Sequence, residues 1–218
     1  MTAAPVQGED GLVLHQHDAR GVHRLTLNSP KSFNVLGEAV LGELQRQFDA
    51  IGADPTARVL VIAAEGKAFC AGHDLKQMKA NPQLAYYQRL FAQCSKMMLS
   101  IQKLPMPVIA RVQGLATAAG CQLVAQCDLA VAADSARFGV NGIDVGLFCA
   151  TPSVPLVRNM ALKQAMEMLV TGGFIDAEEA RARGLVNRVV PAEQLDAAVD
   201  ALVNAILAKP REAIAAGK

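Results

Sequence analysis

The sequence predicts an α/β protein whose strands are mostly parallel. Its 218 residues are 52% hydrophobic and 19% charged, which is enough apolar material for a core and excludes a disordered chain. Short continuous apolar runs, typical of strands buried on both faces, recur along the chain. Segments with helical apolar spacing separate them, and such alternation is typical of α/β domains. The length suits one domain with an appendage.

The elements follow from these patterns in chain order. The strands are predicted from alternation or a continuous apolar run, and they are Leu12–His15, Val22–Leu27, Val59–Ala63, Val108–Val112, Leu129–Ala132 and Arg137–Gly139. The helices are predicted from apolar residues three and four positions apart, and they are Leu36–Ile51, Leu84–Ile101, Gly120–Gln126, Ser153–Asn159, Lys163–Thr171, Asp176–Arg183 and Glu193–Ala208. Loops are predicted at Glu65–Gly72 and Gly114–Ala119. Asp176 is the predicted N-cap of its helix, with Glu179 completing a capping box.

Charge and motif content exclude several function classes. The 21 basic and 20 acidic residues give a formal net charge of +1, so no nucleic acid or anionic membrane is expected as a partner. No apolar stretch reaches the ~18 residues of a membrane span, and the first residues lack the pattern of a targeting signal. The glycine motifs of Rossmann and P-loop nucleotide sites do not occur.

The cysteines predict a reducing compartment. Their number, five, is odd, and they are Cys70, Cys94, Cys121, Cys127 and Cys149. They lie mostly in apolar runs without zinc-binding spacing, so we expect reduced, core-packed thiols, no metal site and a cytoplasmic location.

Two loops rich in small residues carry the chemistry that the sequence suggests. Residues 68–76 and 112–123 each lie between a buried strand and a helix. The first N–H groups of a helix have no intrahelical acceptor and carry the positive end of its dipole. Two such loops side by side can direct two N–H donors at one oxygen, which makes an oxyanion hole. The alternative interpretation is that glycine and alanine here only allow tight helix–strand packing.

Ordered motifs along the chain carry a resemblance to a known family. They lie at residues 27–36, 68–75, 107–110, 119–123, 127–132 and 165–172. Together they resemble the enoyl-CoA hydratase/isomerase family, also called the crotonase superfamily, from about Leu25 to Ala208. Residues 119–125 and 145–149 resemble one subgroup within it. The resemblance implies a ββα spiral core over residues 1–190 and an oligomerising helical region from residue 191, which we expect in shortened form up to Lys218.

The resemblance also implies a ligand and a role in fatty acid metabolism. The ligand would be an acyl-CoA thioester, with coenzyme A entering as part of the substrate and no separate cofactor. The N–H groups of His73 and Ala119 would stabilise the enolate oxygen. The implied CoA-binding residues are Lys31, Ala71, His73, Asp74, Leu75, Lys76 and Gly120. For the two lysines, an ordinary solvated side chain is the alternative interpretation.

The departures from the family pattern concern the acid–base residues. Gln122 and Gly142 stand where hydratases of this family have glutamates, and Ala150 lies near the position of a third family acid. A glutamine cannot accept a proton as a carboxylate does, so we expect two-glutamate hydration to be absent or very low. Restoring both carboxylates should raise hydration if the scaffold is otherwise intact. The other acid–base candidates are Asp144 and the His73 imidazole, whose alternatives are a surface carboxylate and a side chain turned from the site or stacked on adenine.

Three functions stay open at this point. The chain could be an acyl-CoA enzyme with altered acid–base residues, or it could catalyse a base-independent reaction such as decarboxylation of a malonyl-type thioester. It could also be a non-catalytic acyl-CoA binder or assembly subunit, because fold alone does not choose among these.

Two further expectations concern surfaces. We expect a homotrimer or hexamer, with a partner covering the face formed by Leu195, Val199, Leu202 and Ile206. We expect the histidines of the N-terminal strands, His15, His17 and His23, at the surface.

Overall fold

A computed structural model describes residues 11–218 of the chain. The first ten residues of the predicted core, where we expect no targeting signal, lie outside the described residues. The strands β1 to β10 are Val13–His17, Val22–Leu27, Val59–Ala64, Ala68–Cys70, Val108–Val112, Leu115–Thr117, Leu129–Ala133, Arg137–Gly139, Phe174–Asp176 and Arg188–Val190. The helices α1 to α9 are Glu38–Ala53, Leu75–Ala80, Leu84–Lys103, Ala119–Gln126, Ala150–Asn159, Leu162–Thr171, Ala177–Ala182, Leu195–Leu207 and Arg211–Gly217. Short 3-10 turns are Pro30–Ser32, Asn141–Val145 and Ala192–Gln194.

The strands form two sheets through a repeated path of the chain. One sheet has the order β1-β2-β3-β5-β7-β10, and the other has the order β4-β6-β8-β9. Consecutive strands enter the two sheets in turn, first β3 and β4, then β5 and β6, then β7 and β8, and a helix follows each pair. All neighbours are parallel except β1 with β2 and β9 with β8. The prediction of an α/β fold with mostly parallel strands is confirmed.

The central strands of the six-stranded sheet, β3, β5 and β7, are buried on both faces. Along β3, every residue is buried, and alternate side chains point to opposite faces. Leu60 and Ile62 belong to the main core, which helices cover, whereas Val59 and Val61 face a second, smaller core. A strand in this position needs the continuous apolar run that predicts it.

Helix α8 covers the outer face of this sheet. Leu195, Val199 and Val203 are buried against Val59 and Val61, together with side chains of β5 and β7. The helix face that we expected a partner subunit to cover is therefore covered by the chain's own sheet. The reason is the second apolar face of β3, β5 and β7, which would otherwise meet water.

The boundaries differ from the predictions mainly at short elements. The strands Val108–Val112 and Arg137–Gly139 are confirmed to the residue. The predicted loops Glu65–Gly72 and Gly114–Ala119 instead contain β4 and β6, whose three residues each are too few to show alternation. The Asp176 cap is confirmed, because its carboxylate accepts a hydrogen bond from Glu179 N at 2.8 Å.

The histidines near the N-terminus form a partly buried cluster. His23 is buried, with 4% of its surface exposed, which corrects the expectation of a surface residue. The alternation of β2 puts His23 on the same face as Leu25 and Leu27, the face that packs on the main core. Its Nδ1 lies 3.0 Å from His15 Nε2, and its Nε2 lies 3.5 Å from an Asp54 carboxylate oxygen.

Candidate functional site

A cavity of about 320 Å³ lies where the two small-residue loops meet the turn Asn141–Val145. Of the site residues predicted from the sequence, it brings together Ala71, His73, Leu75, Ala119 and Gly142. Its other lining residues are Met78, Phe91, Thr117, Ala118, Asn141, Val145, Leu147, Phe148, Cys149, Ala150, Thr151 and Pro152.

The two loops lie against each other at Gly72. This glycine has a φ of 85°, and a Cβ on it would lie 3.1 Å from Ala119 N and 2.9 Å from Ala118 Cβ. Only glycine allows the loops this approach. Beside it, Leu36 forms a parallel bridge with His73, and Leu36 N donates to Gly72 O at 2.7 Å. In a parallel bridge of this kind, Leu36 forms its hydrogen bonds with the residues on either side of His73. The N–H of His73 itself therefore points away from Leu36.

The second N–H belongs to the first residue of α4. Ala118, just before that helix, has the rare backbone angles φ 51° and ψ −121°. Its N–H donates to Gly139 O at 2.9 Å, and its carbonyl accepts from Gln122 N at 3.0 Å. Among the backbone hydrogen bonds that residues 11–218 make in turns, loops and helix caps, none is donated by the N–H of His73 or of Ala119. Both residues line the cavity.

Gly120 has a packing role. A Cβ at this position would lie 2.0 Å from Cys70 O, because α4 crosses the backbone of β4 closely. Gly120 is not among the residues that line the cavity. At Gly120, therefore, the small residue allows tight helix–strand packing, which is the alternative interpretation given above.

One ring nitrogen of His73 is hydrogen-bonded, and the other has no hydrogen-bond partner. Its Nδ1 lies 3.3 Å from Leu36 O, so Nδ1 carries the hydrogen, since a carbonyl only accepts. Its Nε2 is buried and has no hydrogen-bond partner. The Phe91 ring packs edge-on to the imidazole, with 5.1 Å between ring centroids. Burial lowers the pKa of His73 below its ordinary value of 6.5, against a smaller opposing effect of the Leu36 carbonyl. The imidazole is therefore neutral at pH 7.

The positions of the family glutamates offer no carboxylate and little room. Gln122 is buried on α4, its Oε1 has no hydrogen-bond partner, and it does not line the cavity. Gly142 does line the cavity, but a Cβ there would lie 2.4 Å from Leu147 O and 2.8 Å from Cys149 Sγ. The backbone after the turn thus occupies the space that a side chain at residue 142 would need.

Other charged candidates lie outside the cavity. Lys31, Lys76 and Asp144 are exposed, and none of them lines it. The carboxylate of Asp74 caps α2 by accepting hydrogen bonds from Lys76 N at 2.9 Å and Gln77 N at 3.1 Å. A role of these residues toward coenzyme A stays a prediction.

The cavity contains polar and apolar groups that sequence reasoning missed. Thr117 Oγ1 donates to Asn141 Oδ1 at 2.5 Å across the cavity wall. Met78 and Phe91 reach the cavity from α2 and α3. No local signal distinguishes these two from residues of the main core, and only the three-dimensional path of the chain joins them to the loops.

Comparison with known proteins identifies the family. The family model described as enoyl-CoA hydratase/isomerase matches residues 17–218. The chain belongs to the enoyl-CoA hydratase/isomerase family. A crystal structure described as enoyl-CoA hydratase from Mycobacterium smegmatis is 58% identical, with a TM-score of 0.95, over 95% of this chain and 81% of that one. The crotonase-type fold expected from the resemblance is confirmed.

The subgroup indicated by residues 119–125 and 145–149 is enoyl-CoA hydratase domain-containing protein 3. The crystal structure of the human protein of that name is 40% identical, with a TM-score of 0.91, and covers 95% of this chain and 81% of that one. The mitochondrial protein of that name from Xenopus laevis is 45% identical over 198 residues, which are 91% of this chain and 67% of the relative. The chain spans about two thirds of the length of these curated relatives. The likeness to this subgroup is confirmed.

Two further findings on residues 11–218 concern membrane spans and metal ions. Across residues 11–218, no helix combines the length and the hydropathy that crossing a bilayer requires. The same residues contain no group of three or more His, Cys, Asp or Glu side chains arranged to hold a metal ion.

Proposed function

We propose that the chain binds an acyl-CoA thioester and stabilises its enolate with the N–H groups of His73 and Ala119. The observation that supports this proposal is the contact of the two loops at Gly72, which brings His73 and Ala119 to the wall of one cavity. Each such donor contributes typically about 3–4 kcal/mol to stabilising an oxyanion.

The walls of the cavity suit the acyl portion of such a ligand. Met78, Phe91, Leu147 and Phe148 provide apolar surface. Apolar pockets with a few placed polar groups are typical of small-molecule sites, and Thr117 with Asn141 provides such a polar edge.

The reaction is proposed without the two-glutamate route. No Asp or Glu lines the cavity, so no carboxylate there activates water as the family glutamates would. This observation favours two alternatives that need no carboxylate. One is decarboxylation of a malonyl-type thioester, which requires only that the enolate be stabilised, and the other is non-catalytic binding of acyl-CoA.

Titration calorimetry tests the binding proposal. Butyryl-CoA should bind more tightly than free coenzyme A, and Ala119→Val should weaken the thioester more than it weakens free coenzyme A. The matched control is Ala192→Val, at an exposed alanine outside the cavity. Absence of binding heat at millimolar butyryl-CoA would overturn the proposal. Turnover of crotonyl-CoA and malonyl-CoA, measured beside binding, separates a hydratase, a decarboxylase and a binder.

The state of the cysteines bears on the cellular compartment. The five cysteines are all free and buried in the described chain, which supports a reducing compartment. A cytoplasmic location stays a proposal, since the curated relatives carry the word mitochondrial in their names.

A further inference from the structure

The cavity offers a single group that titrates near neutral pH. Among its lining residues, only His73 and Cys149 carry side chains that titrate in the usual range. Burial raises the pKa of the Cys149 thiol above its ordinary value of 9.0, so this side chain is protonated at neutral pH. Cys121, next to the cavity on α4, is more deeply buried, and its pKa is raised to about 12. The imidazole of His73 is therefore the remaining proton acceptor.

The hydrogen bonding of the imidazole suits a general base, because one ring nitrogen donates and the other keeps a lone pair. Its Nδ1–H donates to Leu36 O, which fixes the tautomer and leaves the Nε2 lone pair without a hydrogen. Nε2 is buried without a partner, which costs about 1–3 kcal/mol in a folded protein. Unsatisfied buried groups of this kind call for an explanation, and catalysis is one of them.

The position of the ring also connects it to the proposed oxyanion hole. The N–H that would bind the thioester oxygen and the imidazole belong to the same residue, and this residue lines the cavity. A thioester bound at that N–H would have its C2, the carbon next to the carbonyl, in the cavity that His73 lines. No acidic side chain lines the cavity, so none competes with the imidazole for a proton of C2.

We propose that the His73 imidazole is the catalytic base that removes a proton from C2 of the bound acyl-CoA. This inference rests on the proposed function, because it needs a thioester in the cavity. The Nε2 lone pair takes the C2 proton, and the electrons of the C2–H bond form the C1–C2 double bond of the enolate. The carbonyl electrons move to the oxygen, which accepts hydrogen bonds from His73 N–H and Ala119 N–H. The imidazolium keeps its Nδ1–H bond to Leu36 O and returns its proton to C2 when the enolate collapses.

A small rearrangement must accompany ligand binding. Nε2 is covered by protein atoms in this structure, and Phe91 packs edge-on to the ring. Rotation of Phe91 away from the ring would uncover Nε2 and leave the hydrogen bond from Nδ1–H to Leu36 O in place.

Exchange of the C2 hydrogens with solvent tests this inference. Butyryl-CoA incubated with the protein in D₂O should gain deuterium at C2, which mass spectrometry and proton NMR follow directly. His73→Gln retains the backbone N–H but removes the base, so exchange should fall by about 10²–10⁴-fold. The matched control is His17→Gln, the same change at an exposed histidine on β1. In the wild type, the exchange rate should rise with pH, and the midpoint of this rise should lie below 6.5, because burial lowers the pKa of His73.

A second variant protects the test against a folding defect. His73→Ala should also lose exchange, and added imidazole should restore part of it by occupying the space of the missing ring. Thermal unfolding and butyryl-CoA calorimetry show which variants remain folded and bind. Binding by the wild type without C2 exchange, or exchange by His73→Gln within a few-fold of wild type, would overturn this inference alone. Absence of binding by the wild type would overturn the proposed function and this inference with it.

Discussion

At the scale of single residues, Ala118 occupies backbone angles that residues other than glycine rarely adopt, φ 51° and ψ −121°. This conformation turns the chain from β6 into α4, whose first residue, Ala119, lines the cavity. Strained backbone of this kind costs of order 1–3 kcal/mol, part of which glycine would regain. We predict that Ala118→Gly raises the free energy of unfolding by about 1 kcal/mol.

Urea unfolding measures this effect against a matched change elsewhere. Ala201→Gly, at an exposed position within α8, should lower the free energy of unfolding by about 1 kcal/mol, because glycine is a poor helix former. Equal destabilisation by both substitutions would show that Ala118 carries no strain.

Gly142 explains why restoring carboxylates is not sufficient for hydration. A side chain there would place its Cβ 2.4 Å from Leu147 O, which is backbone and cannot rotate away. We predict that crotonyl-CoA hydration is absent or very low in the wild type and stays so in the variant Gln122→Glu, Gly142→Glu. The sequence alone predicts that this variant hydrates crotonyl-CoA faster if the scaffold is intact. The crowding at Gly142 means that the scaffold cannot stay intact around a glutamate there.

The loss of crotonyl-CoA absorbance measures hydration in both proteins. Gly142→Ala isolates the crowding, since it adds only a methyl group, and it should lower stability by about 1–3 kcal/mol. Wild-type turnover at about tens per second, as in ordinary enzymes, would contradict the prediction.

The resemblance indicated two loops, because loop motifs are local, and His73 and Ala119 in these loops line one cavity. It could not predict that Gly142 is crowded or that His73 Nε2 has no partner. The first depends on how the turn after Gly142 folds back so that Leu147 O approaches it, and the second depends on the packing around the His73 ring, which includes Phe91 on α3. Such contacts leave no trace in the spacing of residues.

At the scale of elements, the β1–β2 hairpin is joined to the end of α1 by the histidine cluster. Burial is the largest cause that lowers the pKa of both His15 and His23, and the neighbouring histidines add to it. For His23, the carboxylate of Asp54 opposes this effect. The folded protein therefore favours the neutral rings, whereas the unfolded chain takes up protons as the pH falls below about 6.5.

We predict that stability is constant with respect to these histidines above that pH and falls below it. The urea midpoint should decrease between pH 7.5 and pH 5.5 in the wild type. In His23→Gln the midpoint is lower throughout, but its decrease over the same range should be smaller. An unchanged pH dependence in this variant would show that the cluster does not contribute to acid sensitivity.

The length of an element decides whether a sequence pattern reveals it. Long amphipathic helices such as α1 and α3, and the fully buried β3 and β5, have enough residues for their period to be recognised. The strands β4 and β6 have three residues each and lie within small-residue loops. Their pairing is set by the second sheet, which forms only when successive turns of the chain stack.

At the scale of the whole molecule, an apolar surface remains exposed. Leu162, Met166 and Val170 are 66%, 45% and 54% exposed, and their spacing of four residues places them on one face of α6. Helix α6 packs on the turn Asn141–Val145 and on α5, which adds Val154 and Val157, 50% and 42% exposed. Monomers rarely expose a contiguous apolar area of this kind.

We predict that this surface joins copies of the chain, since the face of α8 already lies on its own sheet and the family resemblance implies trimers. Light scattering after size exclusion should give a mass above that of one chain, 23.0 kDa, at micromolar concentration. Met166→Glu should shift the protein toward the monomer, because a buried unpaired carboxylate opposes association. Leu84→Glu, at a leucine on α3 that is 71% exposed, places the same charge outside this surface and should leave the mass unchanged. A wild-type protein that is monodisperse and monomeric would contradict the prediction, and so would dissociation of Leu84→Glu with Met166→Glu still associated.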